Sequence, residues 1–296
     1  MKKTEFILFL LAFVVVRLPG ALRVVATYPA IAAIVTEVGG DGVEVTCLAD
    51  GRFDPHFITP KPSLIVKLRR ADLLVINGAQ LEIGWLPPLL SQAGNPRLLP
   101  GQRGFLDLSR FVPLLDVPSS VSREQGDVHP DGNPHFLLDP QNVLLAAQAV
   151  AERLASMDPG HAASYRVGLA RFSTRWRARM TLWSEKLKPL AGKRVIAYHR
   201  LYDYLLRRFG LVLDAVIEPL PGIPPSSRHL AALRERLRAG GVSFILQDVY
   251  HSAGAARFLS RQSGVPMAIL PHDVGAVENA GDLFALFDEI VRRLGQ

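Results

Sequence analysis

HAASYRVGLARFSTRWRARMTLWSEKLKPL, residues 161–190, has no proline before Pro189 and only Gly168 to interrupt it. A stretch this free of breakers predicts one continuous helix. About thirty helical residues at 1.5 Å each would run roughly 45 Å, longer than a typical globular helix. Such a helix is expected to be the spine between two lobes.

The sequence on either side supports that reading. Before the spine, LRVVATYP (22–29), VEVTCLAD (43–50) and DLLVING (72–78) read as strands. AIAAIVTEVGG, SLIVKLRRA, LEIGWLPPLLSQAG and DPQNVLLAAQAVAERLASMDP read as helices. Pro87 and Pro88 bend or restart the third of these. Asp139 caps the fourth, with Pro140 in its first turn. PRLLPGQ and PLLDV are short strand or loop pieces. After the spine, KRVIAY, LVLDAVI, VSFILQD and VPMAILP are strands, alternating with four helices that end in AGDLFALFDEIVRRLG. Strands alternating with helices imply parallel sheets. The fold class expected is α/β: two parallel-sheet α/β lobes joined by one long helix. The expected organisation is a signal peptide over 1–21, an N-terminal lobe over 22–158, the linker helix over 159–190 and a C-terminal lobe over 191–296.

Composition narrows the function. Of 296 residues, 49% are hydrophobic, enough for a sizeable core. The net charge of +7 is spread over helical segments such as RFSTRWRARM and LRERLRAGG, without an aromatic-basic motif. It therefore reads as solvated helix faces, and no nucleic-acid partner is expected. Lys2 and Lys3 precede an apolar run from Phe6 to Val16, followed by the small residues Gly20 and Ala21. That is the layout of a secretory signal peptide, and the run is short for a membrane span. Periplasmic export is expected, with an uncleaved anchor as the alternative. Cys47 is the only cysteine, so neither an internal disulfide nor a thiolate metal cluster can form. It reads as a small buried hydrophobe.

In parallel α/β sheets, ligands bind beyond the carboxyl ends of the strands. His56 follows the strand at 43–48, His199 follows KRVIAY, and His272 and Asp273 follow VPMAILP. His135 lies in GNPHFLLDP, just before a capped helix. Two lobes thus supply metal-capable side chains to one cleft between them. Asp54 is a candidate to orient His56, with turn capping as its alternative role. Asp203 reads as a helix-surface acid or a support for His199. Asp248 and His251 follow a strand and are candidates to line the cleft. His161 and His229, at helix starts, are expected to be exposed.

FDPHFITPKPS, ADLLVINGAQLEIGWLPPLL, GNPHFLLDPQNV, VIAYHRLYDYLLRRFGL and the closing LPHDVGA resemble the TroA-like zinc and manganese solute-binding proteins of bacterial ABC importers. The resemblance runs from about Val24 to the C-terminus. It implies two α/β lobes bridged by a long rigid helix, in agreement with the residue-level reading. It places His56, His135 and His199 at metal-ligand positions and Asp273 at the family's carboxylate position, with His272 or water as the alternative fourth ligand. Glu82 matches a family position and is expected to have a hydrogen-bonding role. Zinc members often carry a long His-rich insertion before the second ligand. Here that stretch is SREQGDVHPDGNPH, with His129 its one extra imidazole.

Three imidazoles and one carboxylate suit Zn²⁺ first, with Mn²⁺ or Fe²⁺ also open and Ni²⁺ a further option. Manganese-type relatives generally have a carboxylate at the third position, so His199 favours zinc. The expected partners are the metal ion and an ABC importer's membrane permease, with the chain acting as a monomer. The alternative from another class is a zinc-dependent hydrolase with a water-completed site. The sequence contains neither an H-E-x-x-H pattern nor a G-x-S-x-G elbow.

Overall fold

The structure is a computed structural model, and it describes residues 20–118, 129–220 and 222–295. The signal-peptide reading falls outside these residues, except for Gly20 and Ala21, as does most of the stretch that ends at His129.

The spine forms where the sequence predicts it. Helix α5 spans Ala162–Leu187, with a short 3-10 turn at each end. Tyr165, Gly168, Phe172, Trp176, Trp183 and Leu187 are buried at spacings of three, four and seven, one face of a helix. Trp176 and Trp183 meet edge-to-face at 5.0 Å, and Phe287 contacts both rings. Each such aromatic pair adds about 0.5–1.5 kcal/mol beyond burial. Their indole N–H groups donate to the Pro140 carbonyl and to Asp288, so neither polar atom is left dry.

Before the spine lie β1 (Leu22–Ala26), α1 (Pro29–Gly39), β2 (Val43–Cys47), α2 (Pro62–Arg70), β3 (Leu73–Ile76), α3 (Leu86–Ala93), β4 (Phe105–Asp107) and α4 (Pro140–Met157). After it lie β5 (Arg194–Ala197), α6 (Asp203–Arg208), β6 (Val212–Val216), α7 (Ser227–Arg238), β7 (Val242–Gln247), α8 (Gly254–Ser263), β8 (Met267–Ile269) and α9 (Leu283–Leu294). The first sheet has the order β2-β1-β3-β4 and the second β6-β5-β7-β8, with every pairing parallel. The two halves therefore repeat one strand order. In each, the direction of winding reverses beside the first strand, which opens a crevice at the strand ends.

Two elements differ from the sequence reading. Strand β4 was not predicted: with three residues it is too short to show alternation. The stretch from Ala79 to Trp85 is a run of turns, and α3 begins only at Leu86, so the prolines start the helix rather than bend it. Gly78, Ala79 and Gln80 all have positive φ, which no helix tolerates. The buried Glu82 carboxylate holds this turn by accepting from the N–H groups of Asn77 and Gly78 and from the Thr27 hydroxyl. Burial pushes its pKa up to about 7. The hydrogen-bonding role expected for Glu82 is thus present.

Candidate metal centre

His56 stands on the loop after β2. Asp54 Oδ1 accepts from both the backbone N–H of His56 (2.9 Å) and its ring Nδ1 (2.7 Å). The ring is thereby turned so that Nε2 points away from its own loop. Burial opposes ionisation of Asp54, but the bonds and charge of His56 outweigh it and hold the pKa below the usual carboxylate range. Gly51 opens this loop, and a Cβ there would lie 2.1 Å from the Val274 carbonyl oxygen. Only glycine lets the loop rest against the residue that follows Asp273.

His135 precedes a 3-10 turn, Phe136–Leu138, that runs into α4. Asn133 accepts from the His135 N–H at 3.0 Å and donates to the Arg200 carbonyl across the cleft at 2.8 Å. Asn77, after β3, donates to the Pro134 carbonyl. The loop is thus tied to both halves of the molecule.

His199 follows β5. Its Nδ1 lies 2.6 Å from Glu218 Oε2, and the other Glu218 oxygen accepts from the N–H of Gly222. Glu218 was not singled out from the sequence. It follows β6, so the strand-end rule that located the histidines would have flagged it too.

The three rings converge. Centroid separations are 5.2 Å for His56–His135, 5.7 Å for His56–His199 and 5.4 Å for His135–His199, with interplanar angles of 76–83°. One nitrogen from each lies within 4.8 Å of the others, and this is the only such group of three metal-capable side chains among the described residues. The buried Nε2 atoms of His56 and His135 have no hydrogen-bond partner among the described residues. Two buried lone pairs aimed into one space are the arrangement a cation would satisfy. Burial, reinforced by the neighbouring imidazoles, keeps the His135 pKa well below the ordinary value, so its ring stays neutral as a ligand must.

Asp273 lies outside that triad. Its Oδ1 accepts from the N–H of Val274 and, across the cleft, from the N–H of Ala30 in the first turn of α1. Burial raises its pKa to about 7. It shares a small cavity of about 40 Å³ with His135 and His272. His272 packs edge-to-face against Tyr250 at 4.7 Å, and burial lowers its pKa to about 4.

His129 stacks on His56 at 5.3 Å. Asp203, read as a surface acid or a support for His199, is largely covered and pairs with Arg200 at 2.7 Å; burial lifts its pKa to about 6. His161 and His229 are half-buried rather than exposed, because His161 pairs with Asp158 and His229 bonds to the Val216 carbonyl. Asp248 and His251 do line the cleft: the His251 ring lies 6.1 Å from that of His199. Cys47 is half-buried, with its thiol 3.3 Å from the Ala49 carbonyl oxygen and its pKa pushed by burial to about 12.

Comparison with known proteins gives a consistent set of similarities. Residues 24–296 match the profile of the family described as "Zinc-uptake complex component A periplasmic". The chain is 26% identical over 309 aligned positions to the high-affinity zinc uptake system protein ZnuA of Paracoccus denitrificans, covering 93% of this chain and 90% of the relative. It is 23% identical to the zinc-binding lipoprotein AdcA of Streptococcus pneumoniae, covering 85% of this chain but only 50% of that relative's length. Among solved structures, FpvC from Pseudomonas aeruginosa in complex with Mn²⁺ aligns with a TM-score of 0.77 at 27% identity, covering 93% of this chain and 96% of FpvC. A crystal structure of ZnuA aligns with the same score at 22% identity, covering 93% of this chain and 98% of ZnuA, a likeness of fold.

Proposed function

We propose, from the premise that this chain belongs to the periplasmic zinc-uptake component A family of solute-binding transport proteins, that it captures Zn²⁺ in the cleft between its lobes. It would deliver the ion to the membrane permease of an ABC-type importer. Members of this family bind and hand over metal rather than catalyse a reaction, which sets aside the hydrolase alternative. The observation that carries the reading is the convergence of the His56, His135 and His199 rings with two unpartnered Nε2 atoms. A nitrogen-rich set of this kind suits a borderline cation in a four-coordinate site better than a hard, oxygen-seeking one. Asp273 is proposed as the fourth ligand through Oδ2, since Oδ1 is already engaged by two N–H groups.

The same reading places the mature chain outside the cytoplasm, led there by the basic and apolar N-terminal segment. Among the described residues no helix is long and apolar enough to cross a membrane. The domain division proposed is the one expected from the sequence, with α5 as the connector.

The test is metal content and calorimetric titration of the purified protein with Zn²⁺, Mn²⁺ and Fe²⁺. One tight Zn²⁺ per chain, abolished in both His56→Ala and His199→Ala, is the expected result. Tighter binding of Mn²⁺ than Zn²⁺ would overturn the zinc assignment. Unchanged binding in both variants would overturn the site.

A further inference from the structure

We infer that His251 is a positioning residue of the C-terminal half that acts on the N-terminal ligand His56 through Asp54. The inference rests on the zinc-capture reading above.

His251 is held more firmly than a cleft-lining side chain needs to be. Asp248 Oδ1 accepts from the backbone N–H groups of Tyr250 and His251, and Asp248 Oδ2 lies 3.0 Å from His251 Nδ1. The Asp248 side chain itself is almost fully buried. The imidazole stacks on Tyr198 at 4.6 Å and packs against Tyr250 at 4.5 Å. Its position is therefore fixed from within its own half. Burial disfavours the charged ring, but the carboxylates of Asp248, Glu218 and Asp54 outweigh it. The imidazolium that gives Nδ1–H to Asp248 presents Nε2–H across the cleft. There it meets Asp54 Oδ2 at 3.9 Å.

Asp54 is thus shared between the halves of the molecule. One oxygen orients His56, and the other faces His251. At 3.9 Å the second contact is about an ångström longer than a hydrogen bond. The triad nitrogens lie within 4.8 Å of one another. Asp54 is bonded to the His56 ring and backbone, so whatever holds Asp54 also holds His56. The chain of contacts Asp248–His251–Asp54–His56 then braces the first ligand from the opposite half.

The experiment is Zn²⁺ calorimetry on the full chain and on His251→Ala, His251→Gln, Asp54→Asn and the Asp54→Asn/His251→Ala double variant. Hydrogen exchange of residues 51–58 is followed with and without Zn²⁺. His251→Ala should weaken Zn²⁺ binding about tenfold, the scale of changes to groups that orient a ligand. His251→Gln should recover most of that loss, because its amide can donate to Asp54. The double variant should bind no more weakly than Asp54→Asn alone, since the two residues act in series. At saturating Zn²⁺ the wild type should gain more exchange protection over 51–58 than His251→Ala does. Additive losses in the double variant, or no difference between Gln and Ala at 251, would overturn the inference. So would an unchanged affinity in His251→Ala beside a wild type that binds Zn²⁺. A wild type that binds no Zn²⁺ would instead overturn the proposed function.

Discussion

Nδ1 of His199 and Oε2 of Glu218 stand 2.6 Å apart, both side chains almost wholly buried. The carboxylate fixes which ring nitrogen faces the cleft. Glu218 is in turn held by the Gly222 N–H, so the pair is oriented before any ion arrives. Glu218→Gln keeps the shape and can accept from the ring but removes the charge. It should weaken Zn²⁺ binding by about 10–100-fold while leaving one ion per chain. Calorimetry on the variant checks this, and an affinity equal to wild type would show that Glu218 serves only the fold.

Protonation of Asp273 gives the second prediction. Burial raises its pKa in the metal-free protein to about 7, so it carries a proton over much of the range between pH 4 and 7. Because the folded value is above the unfolded one, the favourable effect on stability is full below about pH 4 and is lost as pH rises through 7. His129 and His272, both lowered to about 4 by burial, act in the opposite direction. Their contribution is present above about pH 6.5 and is lost as pH falls through 4. If Asp273 ligates through Oδ2, Zn²⁺ must displace its proton. At pH 6 the wild type should therefore release about one proton more than Asp273→Asn, and at pH 8 the difference should shrink towards zero. Calorimetry in buffers of different ionisation enthalpy measures the release. Equal release at pH 6 would assign the proton elsewhere.

The parts of the fold legible in the sequence were those with long periodic patterns. The spine, α4 with its Asp139 cap, and the strand-helix alternation carry their own signals. His56 and His199 were legible because they sit at strand ends, where the parallel topology collects side chains, and His135 because it stands just before a capped helix. What escaped depended on partners distant in sequence. Glu218 gains its meaning only when β6 pairs with β5 and sets it beside His199. The positive-φ turn at Gly78–Gln80 was hidden because an apolar, helix-like stretch outweighed the pull of the Glu82 carboxylate on the backbone. His161 and His229 looked exposed because residues at helix starts usually are. Here Asp158 and the Val216 carbonyl draw them inward.

Gly168 is the one interruption in the spine, and packing explains it. A Cβ at this position would lie 2.2 Å from the Val38 carbonyl oxygen and 3.3 Å from that of Glu37. Those are backbone atoms at the end of α1 and cannot swing aside. Helix propensity alone would favour alanine by about 1 kcal/mol. Forcing α1 and α5 apart should cost about 1–3 kcal/mol or more. Gly168→Ala is therefore expected to be net destabilising in urea denaturation of the metal-free protein. A variant more stable than wild type would mean that the two helices separate freely.

Asp139 offers a last test, because it serves two elements at once. Its Oδ1 accepts from the Gln141 N–H and caps α4, the helix that follows the His135 loop. The carboxylate also takes a two-point contact from Arg208 of α6 in the opposite half, at 2.7 and 2.8 Å. Asparagine can keep the cap but not the ion pair, whereas alanine loses both. Arg208 is more than a third exposed, so the ion pair is discounted for solvent to about 1 kcal/mol or less. The cap contributes about 1 kcal/mol. Urea denaturation should therefore rank the variants Asp139→Ala below Asp139→Asn below wild type, with Arg208→Ala close to Asp139→Asn. If Asp139→Asn proved as unstable as Asp139→Ala, the carboxylate would act mainly through Arg208, and α6 rather than the helix cap would anchor the segment that carries His135.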